Sequence, residues 1–287
     1  MGEIADGDPV RAPDLATVFA RRAGRLKELA SGHELEGFLG MIASLVVAQH
    51  AALDGLPPGT LPSRRSLDPA TTRRDGTWRL ALTRILDGID PGSLPAAAQK
   101  AREQLQAAKP ETLEALADRF LGGNVAPADA GKTVFVAAAL QVAWTRMAAL
   151  LDAKDLVSGQ AASGDCPACH SPALAGVVTP GGTKFGHRHL HCSLCATSWR
   201  YVRAKCVHCG STEKVSFRQL AGTGFVRAEC CETCKGYSKV FYVEKVKPVE
   251  PMADDLASLG LDVLVGEEGY ARAPNPFVLG VMDQPEG

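Results

Sequence analysis

Four Cys-x-x-Cys pairs lie close together in this 287-residue chain, and no other feature constrains its fold as strongly. All nine cysteines fall between positions 166 and 234. A Cys-x-x-Cys turn directs two sulfurs at one point, and two such turns make a tetrahedral four-thiolate site. The sequence therefore predicts two metal ions, held by the pairs Cys166/Cys169, Cys192/Cys195, Cys206/Cys209 and Cys231/Cys234.

The spacing of the pairs indicates how they combine. The second and third cysteines of each set of four are separated by 22 residues in the first set and 21 in the second. Each interval holds a glycine-rich turn between strand-like segments, which is the plan of a zinc ribbon or a rubredoxin. We predict one site from Cys166, Cys169, Cys192 and Cys195, and another from Cys206, Cys209, Cys231 and Cys234. A crossed arrangement, joining the first pair to the third and the second to the fourth, stays open.

The identity of the metal does not follow from the cysteines. Zinc and iron both accept four thiolates in tetrahedral geometry. Zinc would be structural only, whereas iron would give a rubredoxin-like one-electron centre. Neither predicted site keeps an open coordination position, so metal-activated water is not expected. The sequence also lacks a nucleotide-binding loop, a nucleophile elbow and a His-Glu-x-x-His motif, and we therefore predict that the protein is not an enzyme.

Composition and hydropathy predict a soluble, cytoplasmic protein. The net charge is -1, and 46% of the residues are hydrophobic, enough for a sizeable core. The acidic N-terminus lacks the apolar region of a signal peptide. The longest apolar run, 133–151, contains Arg146 and is better read as a buried helix than as a membrane span. In a reducing compartment, paired cysteines bind metal more often than they form disulfides.

The pattern of apolar residues predicts an α+β multi-domain chain, in which an N-terminal α-helical bundle precedes two tandem rubredoxin-like or zinc-ribbon β modules. Small polar residues at 158–164 are typical of a linker. The predicted domains are an all-helical domain at 1–157, a first metal ribbon at 158–203, a second at 204–247 and an acidic tail at 248–287. Helices are expected at 14–30, 34–53, 78–86, 94–108, 111–121 and 129–152, and strands at 175–178, 199–203, 214–219 and 237–246.

Two further groups of residues could bind metal. Cys230 is the odd cysteine. It could replace Cys231 as a ligand, but the two-residue spacing to Cys234 favours Cys231. Otherwise it is either a spare redox-sensitive thiol beside a site or a half-buried small residue, and the last interpretation is simpler. His187, His189 and His191 alternate, so on a strand they would share one face. No carboxylate or cysteine is available to complete a third metal site there, and we expect a solvated strand face instead.

Charge is unevenly distributed along the second half of the chain. Positions 200–247 hold ten Lys or Arg and four Glu, a balance that also fits a nucleic-acid-binding zinc ribbon. Two four-thiolate sites with divalent ions would each carry a charge of about -2 and would offset much of this excess. The tail at 248–287 holds eight acidic residues and only Arg272 as a base. It could fold back on the basic ribbons or engage a partner, although a solvated face is the default.

Several longer motifs go beyond the cysteine spacing. The tail in particular contains one short stretch with an Asp-Asp pair and another ending in Tyr-Ala-Arg. The motifs are Cys166-Pro167-Ala168-Cys169, Leu190-His191-Cys192-Ser193-Leu194-Cys195 with Trp199, Cys206-Val207-His208-Cys209, Cys231-Glu232-Thr233-Cys234, Ala253-Asp254-Asp255-Leu256-Ala257-Ser258-Leu259, Glu267-Glu268-Gly269-Tyr270-Ala271-Arg272 and Asn275-Pro276-Phe277. Together they resemble the formate dehydrogenase accessory proteins of the FdhE family, closely over 160–278 and in general plan over the helical half.

This resemblance implies a function and a cofactor. It implies a cytoplasmic accessory or assembly factor, a chaperone in the broad sense, required for the maturation of respiratory formate dehydrogenase. Such a protein would bind the catalytic subunit before export. The suspected metal is iron in two rubredoxin-like sites, with zinc as the alternative. A nucleic-acid-binding zinc ribbon and a rubredoxin-like electron carrier remain the competing functions.

Overall fold

The computed structural model describes residues 9–58, 67–70, 74, 76–152, 156, 164–181, 183–222, 224–243 and 248–278, with backbone alone for 181 and 183–185. The predicted linker, apart from Gly164, lies outside these residues. Within this part of the chain, eight α-helices and seven β-strands form. The predicted fold class, a helical bundle followed by two metal-ribbon β modules, is confirmed.

Six helices make up the N-terminal bundle, and each lies where the apolar periodicity predicts one. They are α1 (Val18–Ala30), α2 (Glu36–Ala52), α3 (Thr77–Gly88), α4 (Ala96–Gln106), α5 (Pro110–Leu121) and α6 (Ala130–Ala148). Their ends differ from the predicted ones by a few residues. The largest shifts are at the start of α1, which begins at Val18 rather than at Asp14, and at the end of α6, which ends at Ala148 rather than at Asp152. The Asp14 carboxylate accepts hydrogen bonds from the Ala16 amide and the Thr17 hydroxyl, and so stabilises the turn before the helix.

Helix α6 lies at the centre of the bundle, because α2, α3, α4 and α5 all pack against it. It is buried on almost every side, which explains why its sequence is a nearly continuous apolar run. Arg146, in its last turn, donates to the carbonyl oxygen of Pro57. Among the described residues, no helix has both the length and the apolar character that crossing a lipid bilayer requires.

The seven strands form one sheet in the order β1-β4-β3-β2-β7-β6-β5. β2 and β7 run parallel, and the other neighbouring pairs are antiparallel. The parallel pair joins the β2–β4 sheet of the first ribbon to the β5–β7 sheet of the second, so both ribbons share a single sheet. The strands are β1 (Val10–Arg11), β2 (Ala173–Gly181), β3 (Thr183–Cys192), β4 (Ser198–Arg200), β5 (Val215–Arg218), β6 (Val226–Cys231) and β7 (Tyr237–Tyr242).

The tail is more regular than its sequence predicts. Its sequence predicts one short helix at 252–259 and then an irregular end. The structure has α7 (Pro251–Leu256) there and then a further helix, α8 (Leu259–Glu267). Gly260 and Gly266 lower the intrinsic helix propensity of this segment. Packing overrides that propensity, because Leu261 and Val265 are fully buried in the main hydrophobic core.

Buried ion pairs attach this tail to the helical bundle. Glu250, just before α7, pairs with Arg22 of α1 at 3.1 Å, and Asp254 pairs with Arg25 at 2.8 Å. At the end of α1, the His33 Nε2 donates to the carbonyl oxygen of Ala257 at 3.0 Å. The tail therefore folds back on the rest of the molecule, and these acidic side chains are not a solvated face.

A second set of buried charges attaches the tail to β7. The Lys239 Nζ lies 3.3 Å from Asp255 Oδ1 and 2.5 Å from Asp262 Oδ2. Arg272 pairs with the same two carboxylates at 2.9 and 2.7 Å, and the Tyr237 hydroxyl donates to Asp262 at 2.6 Å. All four charged side chains are almost completely buried, and two cations balance two anions. Burial lowers the pKa of Lys239, an effect that the two carboxylates oppose.

We expect Lys239→Met to destabilise the fold strongly, since it leaves two buried carboxylates with one cation. Removing one partner from a buried ion network costs about 3–5 kcal/mol. The free energy of unfolding from urea titrations measures this cost.

The matched control is Lys235→Met, which removes the exposed Lys235–Glu232 pair. Exposed pairs contribute little, so the free energy of unfolding should stay nearly unchanged. Equal losses in the two variants would contradict the structural role given to the buried charges.

Candidate metal centres

The structure brings the eight predicted cysteines together as two groups of four. Within each group, all four Sγ atoms lie within 4.8 Å of one another. The grouping follows the order of the sequence, and the crossed arrangement does not form. Site one consists of Cys166, Cys169, Cys192 and Cys195, and site two of Cys206, Cys209, Cys231 and Cys234.

The sulfur positions fit a tetrahedral ion. Four sulfurs that each lie about 2.3 Å from a common ion are about 3.8 Å apart. A disulfide would require about 2.05 Å, and all nine cysteines are free. The Sγ–Sγ distances are 3.6 Å for Cys166–Cys195, 3.3 Å for Cys169–Cys192, 3.7 Å for Cys206–Cys234 and 3.7 Å for Cys209–Cys231.

The same backbone turn occurs at all four pairs. The amide of the first cysteine donates to the carbonyl five residues later, over distances of 2.8–2.9 Å. The residue after the second cysteine is left-handed: His170, Ala196, Gly210 and Lys235, with φ of 58°, 58°, 73° and 56°. For the three that are not glycine, this conformation costs on the order of 1 kcal/mol each. A small residue follows each left-handed position. The extended motif Cys-x-x-Cys-x-Ser/Thr/Gly therefore identifies this turn in the sequence more completely than the cysteine spacing alone.

Site one lies inside the main hydrophobic core, between the first ribbon and the helical bundle. Gln141 of α6 donates to the carbonyl of Ser193 at 2.8 Å, inside one cysteine turn. Leu67 donates to the carbonyl of Ala168 in the other turn at 2.9 Å, and its own carbonyl accepts from Trp144 of α6. Helix α6 therefore supports both turns of site one, a relation that the sequence does not reveal.

The electrostatics of site one favour occupation by a cation. Burial raises the pKa of Cys166 and of Cys192 well above that of an ordinary thiol. Burial opposes ionisation of Cys195 too, but hydrogen bonds from the other three cysteines and Thr197 bring its pKa well below the ordinary value. Without an ion, Cys166 and Cys192 therefore hold their protons more tightly than Cys195 does. Binding of a cation would have to displace the remaining protons.

Site two is more open. Cys206 and Cys231 are buried, whereas Cys209 and Cys234 are exposed. Against the effect of burial, the amides of Cys234 and Thr233 lower the pKa of Cys231 to about 7. Burial and the neighbouring thiols raise the pKa of Cys234 to about 12, although the Gly236 amide donates to its sulfur at 3.3 Å.

His208 lies against site two without belonging to it. Its Nε2 donates to the carbonyl oxygen of Tyr237 at 2.8 Å. A Cβ atom at Gly236 would lie 2.7 Å from the His208 ring and 3.2 Å from the Cys234 sulfur. Glycine is therefore required at position 236, because a side chain would displace the ring or the ligand.

The three alternating histidines do not form a third site. Among the described residues, the two cysteine groups are the only sets of three or more His, Cys, Asp or Glu side chains close enough to share an ion. The expected solvated face is wrong for His189, which is 6% exposed. Burial, the charge of His189 and the arginines of β1 and α1 lower the pKa of His191 to about 3. The α1 arginines that act on His191 show that this part of the strand lies near the helical bundle.

Cys230 is buried and stands apart from site two. It neighbours Cys231 on β6, and successive side chains of a strand point to opposite faces. Burial raises its pKa to about 11, so the thiol stays protonated. The simpler prediction, a small residue that is not a ligand, agrees with this position, although Cys230 is fully buried rather than half-buried.

An ion pair that the sequence analysis did not predict joins the two ribbons. Arg188 on β3 reaches across β2 and β7 to Glu229 on β6, with 2.6 Å between nitrogen and oxygen. Both side chains are buried. Gly176 on β2 leaves room for this reach, because a Cβ there would lie 2.8 Å from the Arg188 Nε.

Family models match the chain along almost its whole length. The model described as "FdhE, N-terminal" matches residues 8–160, "FdhE, central domain" matches 165–203 and "FdhE, C-terminal domain" matches 204–279. The last two matches divide the cysteines as the geometry does, with site one in the central domain and site two in the C-terminal domain.

Individual relatives are similar over comparable lengths. The "Protein FdhE homolog" of Pseudomonas aeruginosa is 38% identical over 281 residues, covering 90% of this chain and 89% of the relative. The homolog of Haemophilus influenzae strain PittGG is 37% identical over 91% of this chain and 88% of its own. The crystal structure of the FdhE protein from Pseudomonas aeruginosa superposes with a TM-score of 0.84 at 36% identity, covering 97% of this chain and 99% of that one.

We expect the purified protein to hold two metal ions per chain and the Cys209→Ser variant to hold one. The four sulfurs of each group fit one ion, and losing a ligand of one group leaves the other intact. Elemental analysis of protein purified without oxygen measures both numbers. An unchanged metal content in Cys209→Ser would contradict the assignment of site two.

Metal affinity should fall as the pH decreases, since protons compete for the same sulfurs. The raised pKa values of Cys166, Cys192 and Cys234 mean that these thiols hold their protons at pH 7. Adding zinc to metal-free protein in weak buffer should therefore release protons, measurable with a pH indicator. Cys230→Ser serves as the control, because its thiol lies outside both groups and the release should not change.

Proposed function

This chain belongs to the FdhE family, and on that basis we propose that it is an accessory factor for the maturation of formate dehydrogenase rather than an enzyme. The observation that carries the proposal is the pair of four-cysteine groups, set in a molecule that matches FdhE proteins from the helical bundle to the tail. A four-thiolate site is coordinatively closed, so it stabilises structure or carries electrons more readily than it activates a substrate.

The proposed partner is the catalytic subunit of formate dehydrogenase, bound in the cytoplasm before export. Buried ion pairs fix the tail to α1, and a second buried set fixes it to β7. Site one fixes the first ribbon to α6 through Gln141. These connections support a preformed platform, a property that lowers the entropic cost of recognising an immature protein.

The proposed cofactors are two metal ions, held by the eight paired cysteines, with iron as the suspected metal and zinc as the alternative. Soft thiolate ligands in tetrahedral geometry suit both. Iron would supply one-electron chemistry, and zinc would contribute to folding alone. In either case, the ions stabilise two ribbons that bury little apolar surface of their own.

Nucleic-acid binding is the weaker candidate, because acidic side chains neutralise several of the basic ones. Arg218 pairs with Glu268, which follows the end of α8, and Lys235 pairs with Glu232. Lys239 is fully buried and pairs with Asp255 and Asp262. A rubredoxin-like electron carrier is better supported, since two cysteines of site two are exposed. A visible absorption band that bleaches reversibly on reduction would favour the electron carrier, and a preparation that contains only zinc would exclude it.

The accessory role predicts that tagged protein retains the catalytic subunit of formate dehydrogenase from an extract, and that a strain lacking this gene loses formate dehydrogenase activity. Expressing the wild-type chain should restore the activity. The matched control is a Cys169→Ser/Cys209→Ser chain, which lacks a ligand of each site and should restore little. Full activity in the deletion strain would refute the proposal.

A further inference from the structure

We infer that the two sites have different roles: the ion of site one is locked in the fold, and site two exchanges its ion with a soft donor ligand on another molecule. The donor is a thiolate or a comparable soft chelating group. This inference rests on the proposed occupation of both groups by metal. It concerns the division between the sites, which the repeated Cys-x-x-Cys pattern does not reveal.

Exposure of the sulfur ligands separates the sites most clearly. At site one, the exposed fractions of Cys166, Cys169, Cys192 and Cys195 are 0%, 0%, 3% and 0%. At site two, Cys206 and Cys231 are buried, but Cys209 and Cys234 are exposed. Each Cys-x-x-Cys pair of site two thus contributes one buried and one exposed cysteine. A ligand arriving from solvent can reach site two from one side and meets no sulfur of site one.

The surroundings of site one are also more enclosed than those of site two. Both turns of site one are bonded to the helical bundle or to segments packed on it, through Gln141 to Ser193 and Leu67 to Ala168. All four site-one cysteines belong to the main hydrophobic core, which contains neither Cys206 nor Cys231. Opening site one therefore requires separating the first ribbon from α6, whereas site two opens locally.

Around site two, the neighbours of the exposed sulfurs are themselves exposed. Next to Cys209 lies His208, and next to Cys234 lie Thr233 and Lys235, all three of which are exposed. The turn that carries Cys234 is fixed by the Cys231 amide to Gly236 carbonyl bond, which does not involve Cys234 itself. The outer sulfur can therefore leave the ion while the turn keeps its shape.

The exchange follows from ordinary ligand substitution. Cys206, Cys209, Cys231 and Cys234 would hold the ion, and an incoming thiolate would replace the exposed Cys209 or Cys234 as a ligand. The released cysteine thiolate would take a proton from water, and no electron would be transferred. The buried Cys206 and Cys231 would stay bound to the ion until both exposed cysteines had been replaced. The reverse exchange would load an empty site.

The test uses full-length protein loaded with two zinc ions and challenged with a metallochromic chelator. We expect two phases of zinc release of equal amplitude, the first at least about tenfold faster, because local opening precedes opening of the core. Alkylation of the loaded protein with N-ethylmaleimide, followed by peptide mass spectrometry, should modify Cys209 and Cys234 first. The four cysteines of site one should stay protected until the slow phase.

Two variants assign the phases. Cys209→Ser should abolish the fast phase, leave the slow phase unchanged, and lower the melting temperature less than Cys169→Ser does. Cys169→Ser should abolish the slow phase and lower the melting temperature, and if it does not fold, the alkylation pattern of the wild-type protein still identifies the fast site.

A single phase for both ions, or a fast phase that persists in Cys209→Ser, would overturn the inference while leaving the metal sites in place. A chain that binds no zinc would refute the metal sites themselves, and this inference with them.

Discussion

The position of site one inside the main core is the constraint on which the rest of the structure depends. Four sulfurs cannot all ionise within 4.8 Å of one another in a buried place unless a cation compensates their charge. A cation bound there would therefore stabilise the junction of the ribbon and α6, as a larger apolar core would otherwise do. The hydrogen bond from Gln141 to Ser193 and the burial of Leu194 attach the helices to the ion's own ligand turns.

The second ribbon depends on the first through the sheet. The parallel pairing of β2 with β7 continues the backbone ladder from one ribbon to the other, and Arg188–Glu229 crosses the same seam. Burial raises the pKa of Glu229, and Arg188 opposes this rise, so each side chain needs the other. Two modules that are similar in sequence are thus combined into one sheet with two unlike metal environments, one enclosed by helices and one at the surface.

Local signals in the sequence predict the helices, the four cysteine turns and the grouping of the sulfurs, since each depends on residues close together in the chain. Spacing of 22 and 21 residues is enough to favour a hairpin between the two turns of each site. Long-range pairings are different. The residues around Val10 give no signal that β1 pairs with β4 at Trp199. The residues around Val177 likewise do not indicate that β2 pairs in parallel with β7 at Phe241. Burial of His189 and of the tail carboxylates likewise depends on which surface arrives from elsewhere in the chain.

The buried charges of the tail are better explained by specificity than by stability. A buried ion pair gains little over an apolar pair of equal size, because desolvation offsets the attraction. The geometry of this network is nevertheless selective, because Lys239 and Arg272 each form ion pairs with both Asp255 and Asp262. The Asn275 amide also donates a hydrogen bond to Asp255 at 2.9 Å. Shifting the tail by one residue would leave charges unpaired in the core, so one register is favoured over its neighbours. An acidic sequence that reads as a solvated extension is thereby held in one place against β7.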